Sequence, residues 1–308
     1  MNIDFWIAVM AGAVRAGTPL IYAGLGELIY ERSGVINLGI EGFMLVGAMS
    51  AVWTQVVWGS WVLSIAVASL CTAVLGILHG VLCVRVGTNQ IATGLAFVIL
   101  CQGLTAFFGD TLVGQRIVVD LQFSWPGLSR IPVLGRVFFQ QDFMVYFAVL
   151  LVFFVWVFLN RTKTGIILRA TGESAVAVAS AGISVVWVRV FAGALCGALC
   201  GLGGAYLSLV YASQWQENMV AGRGWIALVM VIFAMWRPFP LLIGAYLFGG
   251  LTALQLNLQA AGVRTSSYLL GMVPFVLTII VLVVASVIIR RRPMGIPSEL
   301  GKKYEPVQ

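Results

Sequence analysis

Long apolar runs, separated by short polar ones, make up most of this chain. A helix needs about 20 mostly apolar residues to cross the hydrocarbon of a bilayer. Nine stretches approach that length: roughly 5–26, 37–57, 62–84, 91–109, 142–160, 188–211, 224–237, 239–259 and 268–289. They predict an all-α, polytopic membrane bundle of about nine spans, with eight to ten as the limits. All of it reads as a single domain over residues 1–308. The seventh span is short, and the second opens in a polar, glycine-rich stretch. Residues 110–141 hold Pro126, Gly127, Pro132 and Gly135, turn formers that predict a structured loop rather than a span. Two further polar pieces remain, a basic and small-residue insertion at 161–187 and a basic tail at 290–308. The first apolar run has no basic segment before it and continues too far for a cleavable signal peptide, so none is expected.

Composition agrees with the pattern. Hydrophobic residues make up 61% of the chain and charged residues only 9%, against about 25% charged in soluble domains. A chain so poor in charge cannot coat a globule, and lipid must be its main solvent. The net charge of +7 would suit nucleic acid, but the basic residues sit beside spans and read as topology anchors, so no nucleic-acid partner is expected. Their bias sets the orientation. With the C-terminus inside and the N-terminus outside, the inner side collects Arg32, Arg85, Arg161, Lys163, Arg169, Arg189, Arg237, Arg290, Arg291, Arg292, Lys302 and Lys303. The outer side collects Arg116, Arg130, Arg136, Arg223 and Arg264. Residues 110–141 then form an external loop, while 161–187 and the tail are cytoplasmic.

Chemistry-bearing sets are scarce. Cys71, Cys83, Cys101, Cys196 and Cys200 all fall in apolar stretches and read as small packing residues. His79 is the single histidine, with no metal set near it in sequence. There is no phosphate-binding Walker motif and no nucleophile–base arrangement. The chain is therefore expected not to be an enzyme, and to need no cofactor or metal.

Four segments carry more information. Glu31-Arg-Ser-Gly-Val-Ile-Asn37-Leu-Gly-Ile-Glu41-Gly42 joins spans one and two. Glu41 stands at or inside the second span, where a charge costs about 2.5–3.5 kcal/mol on insertion scales. It reads either as a helix-terminal carboxylate favoured by the dipole or as part of a broken helix on a transport pathway. Gly87-Thr-Asn89-Gln90-Ile-Ala-Thr93-Gly94 opens span four. Its amides and hydroxyl suit either capping and interhelical hydrogen bonds or a polar, uncharged solute. Gly193, Gly197 and Gly201 form a stripe for close helix approach. Gln214 to Trp225 sets polar groups beside the short seventh span and reads as a re-entrant or interfacial piece.

Taken together these segments are similar to a known family. The stretches Arg15-Ala-Gly-Thr-Pro-Leu, Glu31 to Leu45, Gly87 to Leu95, Gly165-Ile-Ile-Leu-Arg-Ala-Thr-Gly-Glu with Ala181-Gly-Ile, and Ala221-Gly-Arg-Gly-Trp-Ile-Ala-Leu carry the likeness. The chain resembles the permease subunits of ABC importers in the branched-chain amino acid, ribose and nucleoside class, most of all the nucleoside-uptake permeases. The resemblance implies a type II-like permease fold in the bacterial plasma membrane. It also implies separate ATPase subunits, a second permease that is a paralogue, and an external substrate-binding lipoprotein. Carried over from the family, the coupling helix would lie near Gly172, Glu173, Ser174, Ala175 and Ala179. For the cavity the candidates are the polar residues of the segments above, Asn37, Glu41, Asn89, Gln90 and Thr93. Phe233-Ala-Met-Trp-Arg-Pro departs from relatives, which often have a glycine pair there.

The expected cargo is a purine or pyrimidine nucleoside, with riboflavin, a ribose-like sugar or another small polar solute as the alternative. An ion-coupled secondary transporter is a second class, but it usually needs paired intramembrane ionisable residues. From sequence only Glu41 and Arg15 are candidates. A purely structural membrane protein is the third class, and the coupling-like insertion argues against it.

Overall fold

A computed structural model describes residues 3–262, 267–291 and 295–303. The helices, numbered in chain order, are α1 (Ile3–Arg32), α2 (Ile40–Trp58), α3 (Trp61–Gly80), α4 (Gln90–Gly109), the short α5 (Leu134–Phe138) and α6 (Phe143–Arg161). They continue with α7 (Lys163–Glu173), α8 (Ala175–Ser180), α9 (Val185–Tyr206), α10 (Arg223–Phe233), α11 (Pro238–Ala260) and α12 (Ser267–Arg291). Widened π turns prolong α3 over Val81–Val86 and α9 over Leu207–Tyr211. Among the described residues seven helices are long and apolar enough to cross a membrane. The tenth is not. Its 11 residues reach only about 16 Å at 1.5 Å per residue. The stretch that reads as a seventh span is therefore a short helix preceded by non-helical chain over 212–222.

The first helix is the axis of the bundle, buried almost without a break from Ala16 to Glu31. It runs to Arg32, about six residues beyond the apolar stretch that predicts it, because Glu27 and Glu31 find partners inside the protein. Around it stand α6, α9, α10 and α11, with α3 against α9 and α2 between α9 and α4. Small residues make these approaches possible. A Cβ at Gly197 would strike the carbonyl of Thr72, and one at Gly204 the carbonyl of Met44. The stripe predicted from spacing thus seats α9 against α3 and α2, where van der Waals contact rather than hydrophobic exclusion drives helix association in lipid. Leu70, Ile99, Phe107 and Phe154 point outward and are exposed, as apolar solvent permits.

Between α4 and α6 the chain forms two short antiparallel strands, β1 (Gln122–Ser124) and β2 (Gln140–Asp142), with Phe123 paired to Gln141. Single bridges from Val113 to Trp215 and from Arg116 to Gln214 tie this loop to the descending segment before α10.

Candidate functional site

Two helices begin inside the bundle instead of at its edge. Residues 33–39 leave helical geometry after α1, with Gly34 at φ +94°. Asn37 is fully buried. Its N–H donates to Glu27 Oε1 at 2.9 Å, and its Oδ1 accepts from Gly39 N–H at 2.8 Å. The N–H of Ile36 donates to Gln90 Oε1 at 2.9 Å. The chain before α10 is likewise irregular, with Ser213, Asn218 and Ala221 at φ 53°, 55° and 49°. Glu41, in the first turn of α2 and 3% exposed, joins the two breaks. Its Oε1 accepts from Gly222 N–H and its Oε2 from Gly224 N–H, both at 2.7 Å. A Cβ at Gly224 would lie 2.6 Å from the Glu41 backbone nitrogen. One carboxylate therefore serves two helix N-termini, where both dipoles favour negative charge. Irregular backbone at membrane depth persists only when its polar groups are satisfied within the protein, and discontinuous helices of this kind form the substrate and ion sites of many transporters.

The C-terminal end of α10 is held as firmly. Met235 and Trp236 adopt left-handed φ of 50° and 55°, a conformation that costs L-residues roughly 1–2 kcal/mol each. Here the strain is offset by bonds at Trp236. Its indole N–H donates to Glu31, and its carbonyl accepts from Nε and Nη2 of Arg32 at 3.1 and 3.0 Å.

The basic, small-residue insertion at 161–187 lies at this same end of the bundle, as α7 and α8. Gly172 presses on the end of α1, where a Cβ would strike the carbonyl of Arg32. Glu173 is exposed, Ser174 caps α8 by accepting from Ala177 N–H at 3.2 Å, and Ala175 is buried. Ala179 is half-buried against the small cluster of Ala175, Val178 and Val185 that seats α8. Val176, Ala177 and Ser180 face outward.

The described part of the tail is strapped across this face. Glu299 N–H donates to Gly172 O at 2.8 Å, Gly301 N–H to Gly34 O at 3.3 Å, and Gln90 Nε2 to Lys302 O at 3.2 Å. Ser298 Oγ donates to Glu173 Oε2 at 3.2 Å. The buried Arg189 donates Nε to Ser33 O at 3.0 Å, and its Nη2 stands 4.0 Å from Glu299 Oε2.

Of the residues singled out from sequence, Asn37, Glu41 and Gln90 meet around the breaks, each bonded to backbone. Asn89 is exposed and caps α4 by accepting from Ala92 N–H at 3.0 Å, while Thr93 donates to Thr88 Oγ1 at 2.8 Å. Asn89 and Gln90 line a cavity of about 270 Å3 beside Lys303. Sequence reasoning missed Glu27 and gave Glu31 no interior role. Their four-residue spacing on one helix face was the available signal, hidden because span one was ended too early. It also missed a polar cavity of about 330 Å3 at the opposite end of the bundle, lined by Arg15, Gln122, Asp142, Tyr206, Ser213 and Asn257. There Arg15 Nε donates to Gln141 Oε1 at 3.0 Å and Tyr206 to Asp142 Oδ2 at 3.2 Å. Such a set, with hydroxyls and amides beside one cation and one anion, suits hydrogen bonding to a neutral polar solute.

Residues 9–296 match the family described as branched-chain amino acid transport system / permease component. The chain belongs to that family. It is the permease subunit of an ABC importer, a multi-pass plasma-membrane protein that works with ATPase and substrate-binding partners and is not itself an enzyme. It is 36% identical to a putative glucose ABC transporter permease of Haloferax volcanii, over 98% of each chain. It is 33% identical to a nucleoside ABC transporter permease of Lactococcus lactis, over 89% of this permease and 90% of that one. A guanosine ABC transporter permease of Bacillus subtilis is 31% identical over 90% and 91%. No solved structure matches the permease.

Proposed function

We propose that this permease imports nucleosides, purine or pyrimidine, as one half of a two-permease core whose other half is a paralogue. The observation that carries the substrate is the pair of relatives named for nucleoside and guanosine transport, each aligned over about nine-tenths of the chain. A small sugar is the second reading, favoured by the glucose-permease relative. Both cargoes are neutral and rich in hydroxyls, which agrees with the polar cavity around Arg15, Asp142 and Tyr206. Riboflavin and other small polar solutes belong to the same comparison.

The core sits in a bacterial plasma membrane with its N-terminus outside and C-terminus inside. The Lys/Arg bias supports that orientation. An external lipoprotein then delivers solute to the Arg15 cavity and residues 110–141, and the ATPases dock on Glu173, Val176, Ala177 and Ser180, with Gly172, Ser174, Ala175 and Ala179 shaping and seating that face. Motion of this face reaches the breaks through Gly172 on Arg32, through the tail's contacts at Gly34 and Gln90, and then through Asn37 to Glu41. In this reading Asn37, Glu41 and Gln90 act on the pathway by fixing its irregular backbone, while Asn89 and Thr93 stand at its inner mouth.

The test is uptake of labelled guanosine, adenosine and uridine in cells with and without the gene, with sugars and riboflavin as competitors. Nucleoside uptake lost with the gene and restored by it supports the assignment. Unchanged nucleoside uptake in a host with no redundant system rejects it, and competition by glucose or ribose would then select the sugar reading.

A further inference from the structure

Beside the coupling-like helix α7 lies a cavity of about 540 Å3, walled by α7 and the ends of α1, α6 and α11. Three guanidinium groups converge on it, those of Arg32, Arg169 and Arg237, and no carboxylate is among its lining residues. Arg32 feels Arg169 and Arg237 as like charges, with Glu173 as the opposing one. Arg32 spends two of its donors on the Trp236 carbonyl. The Nε of Arg169 is buried with no hydrogen-bond partner among the described residues. Guanidinium groups gathered around a cavity, one with a buried donor left over, create a demand for an anion that can accept several hydrogen bonds. Phosphate oxygens meet that demand in the bidentate way arginine favours.

We propose that this cavity binds the phosphate of an anionic phospholipid headgroup. The lipid source, rather than a free anion, follows from the rest of the wall. Trp156 and Phe239 belong to the ends of the spanning helices α6 and α11, with ring centroids 6.1 Å apart, and Phe239 is 46% exposed. On the same helix as Trp156, Phe153 and Phe154 are exposed along the apolar surface. Aromatic rings at helix ends mark the headgroup level of the membrane, so acyl chains leaving this cavity find apolar helix faces at once. A free phosphate has no use for those rings. The volume lies within the range of small-molecule pockets, about 300–1,000 Å3. Because Arg169 lies on α7 and Arg32 touches Gly172, an occupied cavity would brace the helix that receives the ATPase against the end of α1. The orientation argued above decides only which leaflet supplies the lipid. Retention of lipid by the purified protein reads the site whatever the orientation or cargo.

The experiment uses the assembled importer in detergent, equilibrated with acyl-matched phosphatidylglycerol and phosphatidylcholine, and native mass spectrometry to count retained lipid. The wild type is expected to favour phosphatidylglycerol. Arg237→Gln should lower the preference about fivefold, and the Arg169→Gln/Arg237→Gln double variant by roughly twenty-five-fold, at about 1 kcal/mol per basic residue. Arg237→Lys should keep most of it. The exposed Arg237 side chain makes its single variant usable even if the double variant does not assemble. A lipid ratio unchanged in Arg237→Gln overturns the proposal. So does complete release of phosphatidylglycerol by excess inorganic phosphate, which would mark a free-anion site. Loss of the ATPase subunits from the Arg237→Gln complex at an unchanged lipid ratio would mark a protein contact and overturn it as well.

Discussion

Replacing Glu41 by Gln tests the central joint of the permease with a change of almost no volume. Both carboxylate oxygens accept a backbone N–H at 2.7 Å, from Gly222 and Gly224, in a site only 3% exposed. The amide can accept from one of them but turns an N–H toward the other. A hydrogen bond to a charged group contributes about 1.5–3 kcal/mol. The orphaned backbone donor adds to the loss, since no water reaches it at membrane depth. The sum is roughly 3 kcal/mol, equivalent to a fall of about 6 °C or more in the thermal midpoint at the slope of large domains. The assay is fluorescence-detected size-exclusion chromatography after a temperature ramp, run beside uptake kinetics in cells. The expected result is a lower midpoint and lower maximal uptake with little change in the half-saturating concentration. A Glu41→Gln variant that melts within 1 °C of the wild type (an order-of-magnitude threshold, well below the shift expected at that slope) and changes only the half-saturating concentration would refute the reasoning. Glu41 would then be a solute ligand rather than a strut between helices.

Other expectations follow from the same coordinates. Gly204→Ala should lower the melting midpoint, because its Cβ strikes the Met44 carbonyl and overpacking costs about 1–3 kcal/mol. Gly103→Ala meets nothing within 4 Å and should be neutral or stabilising by up to about 1 kcal/mol from helix propensity. The same sign for both would discard the packing account. Glu173→Arg should leave the protein inserted and the ATPase active while uptake falls, and normal uptake in that variant removes the coupling assignment. Ending the chain at Met294 deletes the Glu299–Gly172 and Gly301–Gly34 backbone hydrogen bonds and the one from the Gln90 side chain to Lys302 O, worth roughly 1 kcal/mol each. Uptake should drop while membrane insertion persists, and full uptake would show that the tail transmits nothing.

Much of the architecture was legible before any coordinates, because lipid imposes a strong rule. A stretch of twenty apolar residues has few alternatives to a spanning helix, so the apolar runs gave each of the long helices to within a few residues. The exceptions are instructive. The chain reads as apolar through 224–237, yet α10, which starts at Arg223, stops at Phe233, since hydropathy does not register where backbone bonds are broken. The first helix was ended near residue 26 because Glu27 and Glu31 look like the polar edge of a span. Only their partners, the Asn37 N–H and the Trp236 indole, make them interior residues.

The sequence by itself determined the class of solvent, the glycine faces and the family, since each depends on residue type at short spacing. Tertiary structure alone decided how distant polar groups are spent. Glu41 meets Gly222 across 181 positions and Gln90 meets Lys302 across 212. Arg32, Arg169 and Arg237 share one cavity although α7 and the ends of two other helices, α1 and α11, supply them. No local pattern encodes such meetings. They arise because backbone groups buried in a membrane must find partners within the protein, and the packing of α1 against α10, α7 and the tail determines which partners are in reach.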